Sequence, residues 1–156
     1  MFYNFKLVKV DFDYCDYLRN YDNTVPYNKG SKELRPFVGV LFTIDEIEYF
    51  APLSSPKKKH LTMHNTLNFY KIDGGKFGAI NFNNMIPVTN ANYILYDLNK
   101  SSSNNEMKYN KLLNEQLKWL NANRIQVKRR AKIYIDCIIA IGFPKTLKID
   151  VVTLNY

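Results

Sequence analysis

Twelve consecutive residues, Tyr49-Phe50-Ala51-Pro52-Leu53-Ser54-Ser55-Pro56-Lys57-Lys58-Lys59-His60, set two hydroxyls, three ammonium groups and an imidazole directly behind an apolar, strand-like run. Hydroxyls and cations on a turn at a sheet edge suit the handling of phosphate, because they donate to anionic oxygens and offset their charge. RNA cleavage asks little more of a protein. The substrate's own 2′-hydroxyl is the nucleophile, so the protein supplies alignment, proton transfer and positive charge against the crowded phosphate. Within the turn, Lys57 is the natural electrophile and Ser54 and Ser55 the aligning hydroxyls. Arg35, ahead of the neighbouring strand, offers a fork of donors for a phosphate oxygen, and Tyr14 offers a phenol for orientation. The same residues also fit a solvated turn whose lysines only keep the chain soluble, and local pattern leaves both readings open.

Charge narrows the partner class. Lys and Arg number 22 against 14 Asp and Glu, a net charge of +8, which attracts polyanions and is consistent with RNA or DNA as a partner. A hydrophobic fraction of 46% and an aromatic fraction of 15% are those of a packed globule, not a disordered chain. The 156 residues fit one domain, 1–156, able to bury roughly two thirds of its unfolded surface. The N-terminal residues alternate apolar and polar and so read as a strand instead of a signal peptide, and no apolar run approaches bilayer length; the expected location is the cytoplasm, with no membrane partner. Cys15 and Cys137 give neither a disulfide framework nor a zinc quartet and read as reduced, buried thiols.

The elements that must carry the turn follow from periodicity. Residues 2–10 alternate as a half-buried strand, and Asp11 or Asp13 can cap a helix in which Tyr14, Tyr17, Leu18 and Tyr21 recur at helical spacing. A basic loop holding Lys29 and Lys32 leads into an apolar strand over 37–44. Asp45-Glu46 is a tight turn, and 47–53 returns as the strand that ends at Ser54. Residues 66–72 and 76–82 flank Asp73-Gly74-Gly75 as a hairpin, with short extended pieces at 85–89 and 93–98. Two helices follow. The first places Tyr109, Leu112, Leu113, Leu117 and Leu120 on one face; the second aligns Val127, Ala131, Tyr134 and Ile138, crowds Lys128, Arg129, Arg130 and Lys132 on the other side, and ends at Gly142 or Pro144. The pattern is α+β, a mainly antiparallel sheet joined by hairpins, with helices around it.

Other chemistries lack their signatures. There is no Gly-rich phosphate loop, no His-Glu-x-x-His and no Cys-x-x-Cys, and Ser54-Ser55 has no flanking glycines to form a nucleophile elbow. His60 and His64 stand four apart without a third ligand, so neither metal nor cofactor is expected, and both imidazoles read as RNA-facing or solvated. Of the tyrosines, Tyr14, Tyr21 and Tyr27 lie where a base could stack.

The octet from Ala51 to Lys58 resembles the active-site motif of the ToxN/AbiQ family, the toxins of type III toxin–antitoxin systems. The resemblance extends through Tyr14-x-x-Tyr17-Leu18, Val25-Pro26, residues 35–40, residues 78–88 and Leu113-Asn114-Glu115-Gln116-Leu117, covering residues 2 to about 135; the short chain is similar to the CptN-like branch. The resemblance implies a compact, strongly twisted, mainly antiparallel sheet with surrounding helices, akin to MazF/Kid-type toxins. It implies a metal-independent endoribonuclease that leaves a 2′,3′-cyclic phosphate and acts in growth arrest or phage defence on cellular or phage mRNA. It also implies inhibition by an antitoxin RNA of tandem pseudoknot repeats, held with the toxin in a closed hetero-oligomer. By motif position Ser54 and Ser55 are the family's hydroxyl pair, Lys57 its lysine, Tyr14 its helix tyrosine, and Arg35 stands where lysine is frequent. Lys29, Lys32, Lys58, Lys59, His60, Lys128, Arg129 and Arg130 are the expected RNA-binding set. The stretch after Ile138 departs from longer members. The alternative is a non-catalytic basic module that binds RNA without cutting it.

Overall fold

The computed structural model describes residues 4–21, 25 and 38–140. Strand β1 (Leu7–Val10) is followed by helix α1 (Phe12–Arg19), which begins where the Asp11 carboxylate accepts from the Asp13 N–H. Strands β2 (Val38–Ile44) and β3 (Ile47–Ser54) form a hairpin whose two-residue turn, Asp45-Glu46, takes positive φ at both positions. That is the turn geometry that matches strand twist, here built from acidic residues instead of the usual Asn-Gly. The short helix α2 (Lys58–Thr62) comes next, then β4 (Phe69–Lys71), β5 (Ala79–Asn81), β6 (Ile86–Val88) and β7 (Tyr93–Leu95). Helix α3 (Asn104–Ala122) is capped by the Ser103 hydroxyl accepting from the Glu106 N–H, and α4 (Arg124–Ala140) follows after one residue.

Among the described residues the strands make one antiparallel sheet in the order β4-β5-β3-β2-β1-β7, with β6 also paired to β3. Strand β3 is the pivot. One of its edges pairs with β2 from Ile47 to Pro52, while the other takes β6 along Glu48–Phe50 and β5 at Leu53–Ser54. Pro52, which has no N–H to leave unpaired, stands where the partner changes. Opposite it, Gly39 leaves room that a Cβ would take from the Ala51 carbonyl, 2.2 Å away.

Alternation sorts the side chains into two layers. On one face Leu7, Val40, Phe42, Tyr49, Ala51, Ile80 and Phe82 pack with Leu113 and Leu120 of α3 and Val127, Ala131, Tyr134 and Ile135 of α4. On the other, Val8, Val10, Phe50, Ile86 and Val88 pack with Tyr14, Cys15 and Leu18 of α1. The α+β reading with an antiparallel sheet is therefore observed. Burial holds the Cys15 thiol protonated, its pKa pushed up to about 12.

Several boundaries differ from the sequence reading. The hairpin around Asp73-Gly74-Gly75 pairs only at 69–71 and 79–81, because residues 73–75 form a tight non-helical turn, closed by the Gly75 N–H to the Ile72 carbonyl and the Lys76 N–H to the Asp73 carbonyl, with Asp73, Gly74 and Gly75 all at positive φ. On α3 the fully buried stripe runs through Asn110, Leu113, Gln116 and Leu120, so a glutamine sits deep where Leu117 was expected. The expected end of α4 at Gly142 or Pro144, like the basic loop with Lys29 and Lys32, lies outside the described residues.

The layering gives a direct test. Phe50 is fully buried between β3 and α1, whereas Ile94 on the edge strand is 67% exposed. Phe50→Ala is expected to cost about 3–5 kcal/mol in urea unfolding; Ile94→Ala should stay within about 0.5 kcal/mol of the parent.

Candidate active site

The candidate turn begins where β3 runs out. Ser54 is its last residue, Ser55 and Pro56 belong to no helix or strand, and Lys57, in extended backbone, leads into α2. Ser54 and Ser55 are half-buried, while Lys57, Lys58 and Lys59 are exposed and make no ion pair among the described residues. Three ammonium groups with no carboxylate partner leave a strongly positive edge beside two hydroxyls.

The turn is fixed from behind. Gln116, 1% exposed on α3, donates through Nε2 to the Ser54 carbonyl at 3.2 Å and to the Phe77 carbonyl at 2.7 Å. A buried primary amide is costly unless bonded, and this one uses both protons to tie the end of β3 to the loop before β5. Gly78 closes the same junction: at φ +89°, its missing Cβ would fall 1.9 Å from the Ser54 carbonyl oxygen. From the front, Asn81 of β5 donates through Nδ2 to Ser54 Oγ at 2.5 Å.

His60 organises the far side. It is 2% exposed, with its ring against Phe69, and its Nδ1 accepts from the Lys57 N–H at 3.1 Å. This is half of a capping box: a side chain in the first turn reaches back to an otherwise unpaired N–H, and Lys57, whose ammonium accepts nothing, contributes no reciprocal bond. Gly75 lets the 73–78 loop approach α2 so closely that a Cβ would lie 2.4 Å from the His60 carbonyl oxygen. The expectation of an RNA-facing His60 is corrected here, because burial and its bond to Lys57 make it an internal brace. Nor can His60 and His64 share a helical turn, since α2 ends at Thr62.

Other expected members are dispersed. Tyr14 is 1% exposed and donates its hydroxyl to the Pro87 carbonyl at 2.6 Å. Pro87 pairs with Tyr49, five residues back along β3 from Ser54, so the phenol is a core group of the α1 layer, neither beside the reactive turn nor open to a stacking base. Exposed Tyr21 stays outside that core. Arg130 lies 4.3 Å over the Tyr70 ring and Lys128 5.8 Å over Phe5, both rings belonging to the α3–α4 face. Ser54 Oγ leaves the sheet on the opposite face, with Asn81, so the α4 cations and the turn are separated by the sheet. Lys132 is bound by Asp45 and Asp136. Arg35, Lys29 and Lys32, with Tyr27, lie outside the described residues.

Sequence reasoning missed Asn81, Gln116 and Gly78 as site residues. Each sits in a stretch that carried the family resemblance, which was the available signal.

Two outcomes are expected. Burial first, then Lys59 and Lys57, lowers the His60 pKa below 6.5. Below that pH the unfolded chain takes up a proton that folded His60 resists, so stability is intact above 6.5 and falls as the pH drops from there through the folded pKa. His60→Gln keeps an acceptor that does not titrate. The melting temperature of the parent should drop relative to this variant between pH 7 and 5 (about the range in which a histidine titrates), and parallel curves would contradict the assignment. Gly78→Ala should cost roughly 1–3 kcal/mol in denaturant unfolding, from strain and displacement of the Ser54 carbonyl.

Comparison with known proteins identifies the family and agrees with the fold. Residues 6–155 match the family model described as toxin ToxN of the type III toxin–antitoxin system, so the match continues well past Ile138, where the sequence reading saw a departure. The chain is 32% identical over 134 residues to the endoribonuclease ToxN of Bacillus thuringiensis subsp. kurstaki, covering 85% of this chain and 69% of that protein. With the endoribonuclease ToxN of Pectobacterium atrosepticum the identity is 30% over 126 residues, covering 76% and 72%. A solved type III toxin selectively inhibited by a non-coding RNA pseudoknot superposes with a TM-score of 0.64 at 29% identity, covering 83% of this chain and 77% of that one. The lactococcal anti-phage endoribonuclease AbiQ shares the fold, with a TM-score of 0.62 at 19% identity over 84% and 80% of the two chains.

Proposed function

We propose, from the premise that this chain belongs to the ToxN toxin family of type III toxin–antitoxin systems, that it is an endoribonuclease whose reactive centre is the turn from Ser54 to Lys57. The observation that carries this reading is a pair of hydroxyls and an unpaired ammonium group on one turn, immobilised by Gln116, Gly78, Asn81 and His60. Catalysis of phosphoryl transfer is mostly positioning and charge stabilisation, and a braced turn provides both.

In the proposed reaction the 2′-oxygen of a ribose attacks the adjacent phosphorus while the bond from phosphorus to the 5′-oxygen breaks. The 2′-hydroxyl loses its proton and the departing 5′-oxygen gains one, leaving a 2′,3′-cyclic phosphate and a 5′-hydroxyl without consuming water. Ser54 and Ser55 align the phosphate by donating to its oxygens, and Lys57 offsets its growing negative charge. Hydroxyls and ammonium groups are poor company for a divalent metal, which takes carboxylate and carbonyl oxygens, so the centre works without one. Arg35 precedes β2 by three positions, and β2 starts at the end of the sheet where β3 finishes; this is the basis for giving it a phosphate contact.

The partners proposed are an inhibitory RNA of tandem pseudoknots, in a closed assembly with the toxin, and cellular or phage mRNA as substrate in the cytoplasm. Lys58 and Lys59 border the turn, Lys29 and Lys32 precede β2, and Lys128, Arg129 and Arg130 line α4; together they form the proposed RNA contacts. No helix of the described residues is long and apolar enough to cross a membrane. The whole of 1–156 is proposed to act as one unit.

Purified protein incubated with RNA in EDTA should cut it and leave cyclic-phosphate ends. Ser55→Ala and Lys57→Ala should each lower the single-turnover rate by about a hundredfold or more. Saturable binding with no chain cleavage would replace this reading with a non-catalytic RNA-binding module, and unimpaired cutting by both variants would move the centre elsewhere.

A further inference from the structure

The bond between Asn81 and Ser54 has a direction, and the direction has a chemical consequence. Ser54 pairs with Ala79 across β3 and β5, and Asn81, two residues along β5, shares its face. Asn81 is itself paired with Phe69 of β4, whose ring packs on buried His60, so the amide stands between braced neighbours. Its Nδ2 donates to Ser54 Oγ at 2.5 Å. A serine hydroxyl has one proton and two lone pairs, whereas an amide NH₂ only donates. The contact therefore occupies a lone pair of Ser54 and leaves its proton to find an acceptor elsewhere, and no described residue accepts it.

We infer that Asn81 is a positioning residue for RNA cleavage, which aims the Ser54 proton out of the sheet so that Ser54 donates to a phosphate oxygen. The inference rests on the reading of the Ser54 turn as the reactive centre. It explains why a polar amide follows Ala79 and Ile80 in β5, where both preceding side chains are fully buried. It also assigns different duties to the two amides at this junction: Gln116 holds the Ser54 backbone, and Asn81 orients the Ser54 side chain.

The test uses Asn81→Leu, close in size but without a donor, and Asn81→Ala, each alone and combined with Ser54→Ala. Two quantities are measured on an RNA that the parent cuts: the single-turnover rate at saturating protein, and the affinity for a 2′-O-methyl copy that cannot react. Loss of an oriented donor to a reacting oxyanion lowers rate by about 10²–10³, so a slowing of at least about tenfold is expected from either Asn81 variant, with affinity for the inert copy nearly unchanged. In the Ser54→Ala background the same substitutions should change the rate less than about twofold, because the group they orient is gone. A merely structural asparagine would instead slow both backgrounds alike, and that result, or full activity of Asn81→Leu, overturns the inference. A parent protein that cuts no RNA overturns the functional reading itself, and is recognised before any variant is compared.

Discussion

The junction made by the Gln116 amide is the constraint on which the site depends. One side chain from α3 passes through the apolar layer and bonds two carbonyls from separate segments, those of Ser54 and Phe77. Because the amide is buried, losing either acceptor would leave a polar group without water or protein to satisfy it. The penalty for misplacing the turn is thereby transferred to the core. Gly78 answers the same requirement by subtraction, since the backbone can approach the Ser54 carbonyl only where no Cβ intervenes. Helix, strand end and loop are thus locked by contacts to one carbonyl, and the exposed lysines sit on a platform whose geometry is decided behind them.

Around that junction the fold divides its labour by face. The α3–α4 face holds the larger apolar cluster and the buttress of the turn. The α1 face holds the smaller cluster and, beyond its margin, the Ser54 hydroxyl with Asn81. Strand β3 serves both because its second edge changes partner at Pro52, pairing with β6 in the body of the sheet and β5 at the reactive end. No carboxylate among the described residues pairs with the exposed cations of the turn; Asp45 holds Lys132, and Glu48 accepts from the Tyr93 hydroxyl.

Much of this was legible in the sequence. Alternation ahead of Asp11, observed as strand over Leu7–Val10, the β-branched run before Asp45 and the stripes of the two long helices placed the sheet and its helical layer, and the octet from Ala51 to Lys58 pointed to the family and to the proposed centre. What periodicity could not reveal was where a polar group would be tolerated inside. Gln116 falls beside Leu117 in an apolar stripe, and only the two carbonyls it meets show why it, and not the leucine, goes deepest. Tyr14 and His60 failed for the complementary reason. Both are residue types that serve well in active sites, yet both are buried, with the Tyr14 hydroxyl donating to the Pro87 carbonyl and His60 Nδ1 accepting from the Lys57 N–H, a fact belonging to tertiary packing and not to local pattern. The α4 cations share the charge sign of the turn, but a strand's period of two puts the sheet between them.

That separation bears on how such a protein can change over generations. Helix α4 is joined to the rest through apolar side chains on the far face, through Lys128 and Arg130 over the Phe5 and Tyr70 rings, and through Arg124 to Asn4 and Lys132 to Asp45. Change along its outer surface alters the cations proposed to meet RNA without touching the Ser54 side chain, so binding on this helix can vary while the proposed chemistry stays with the turn. Helix α3 has no such freedom, because one of its residues is also part of the floor on which the chemistry stands.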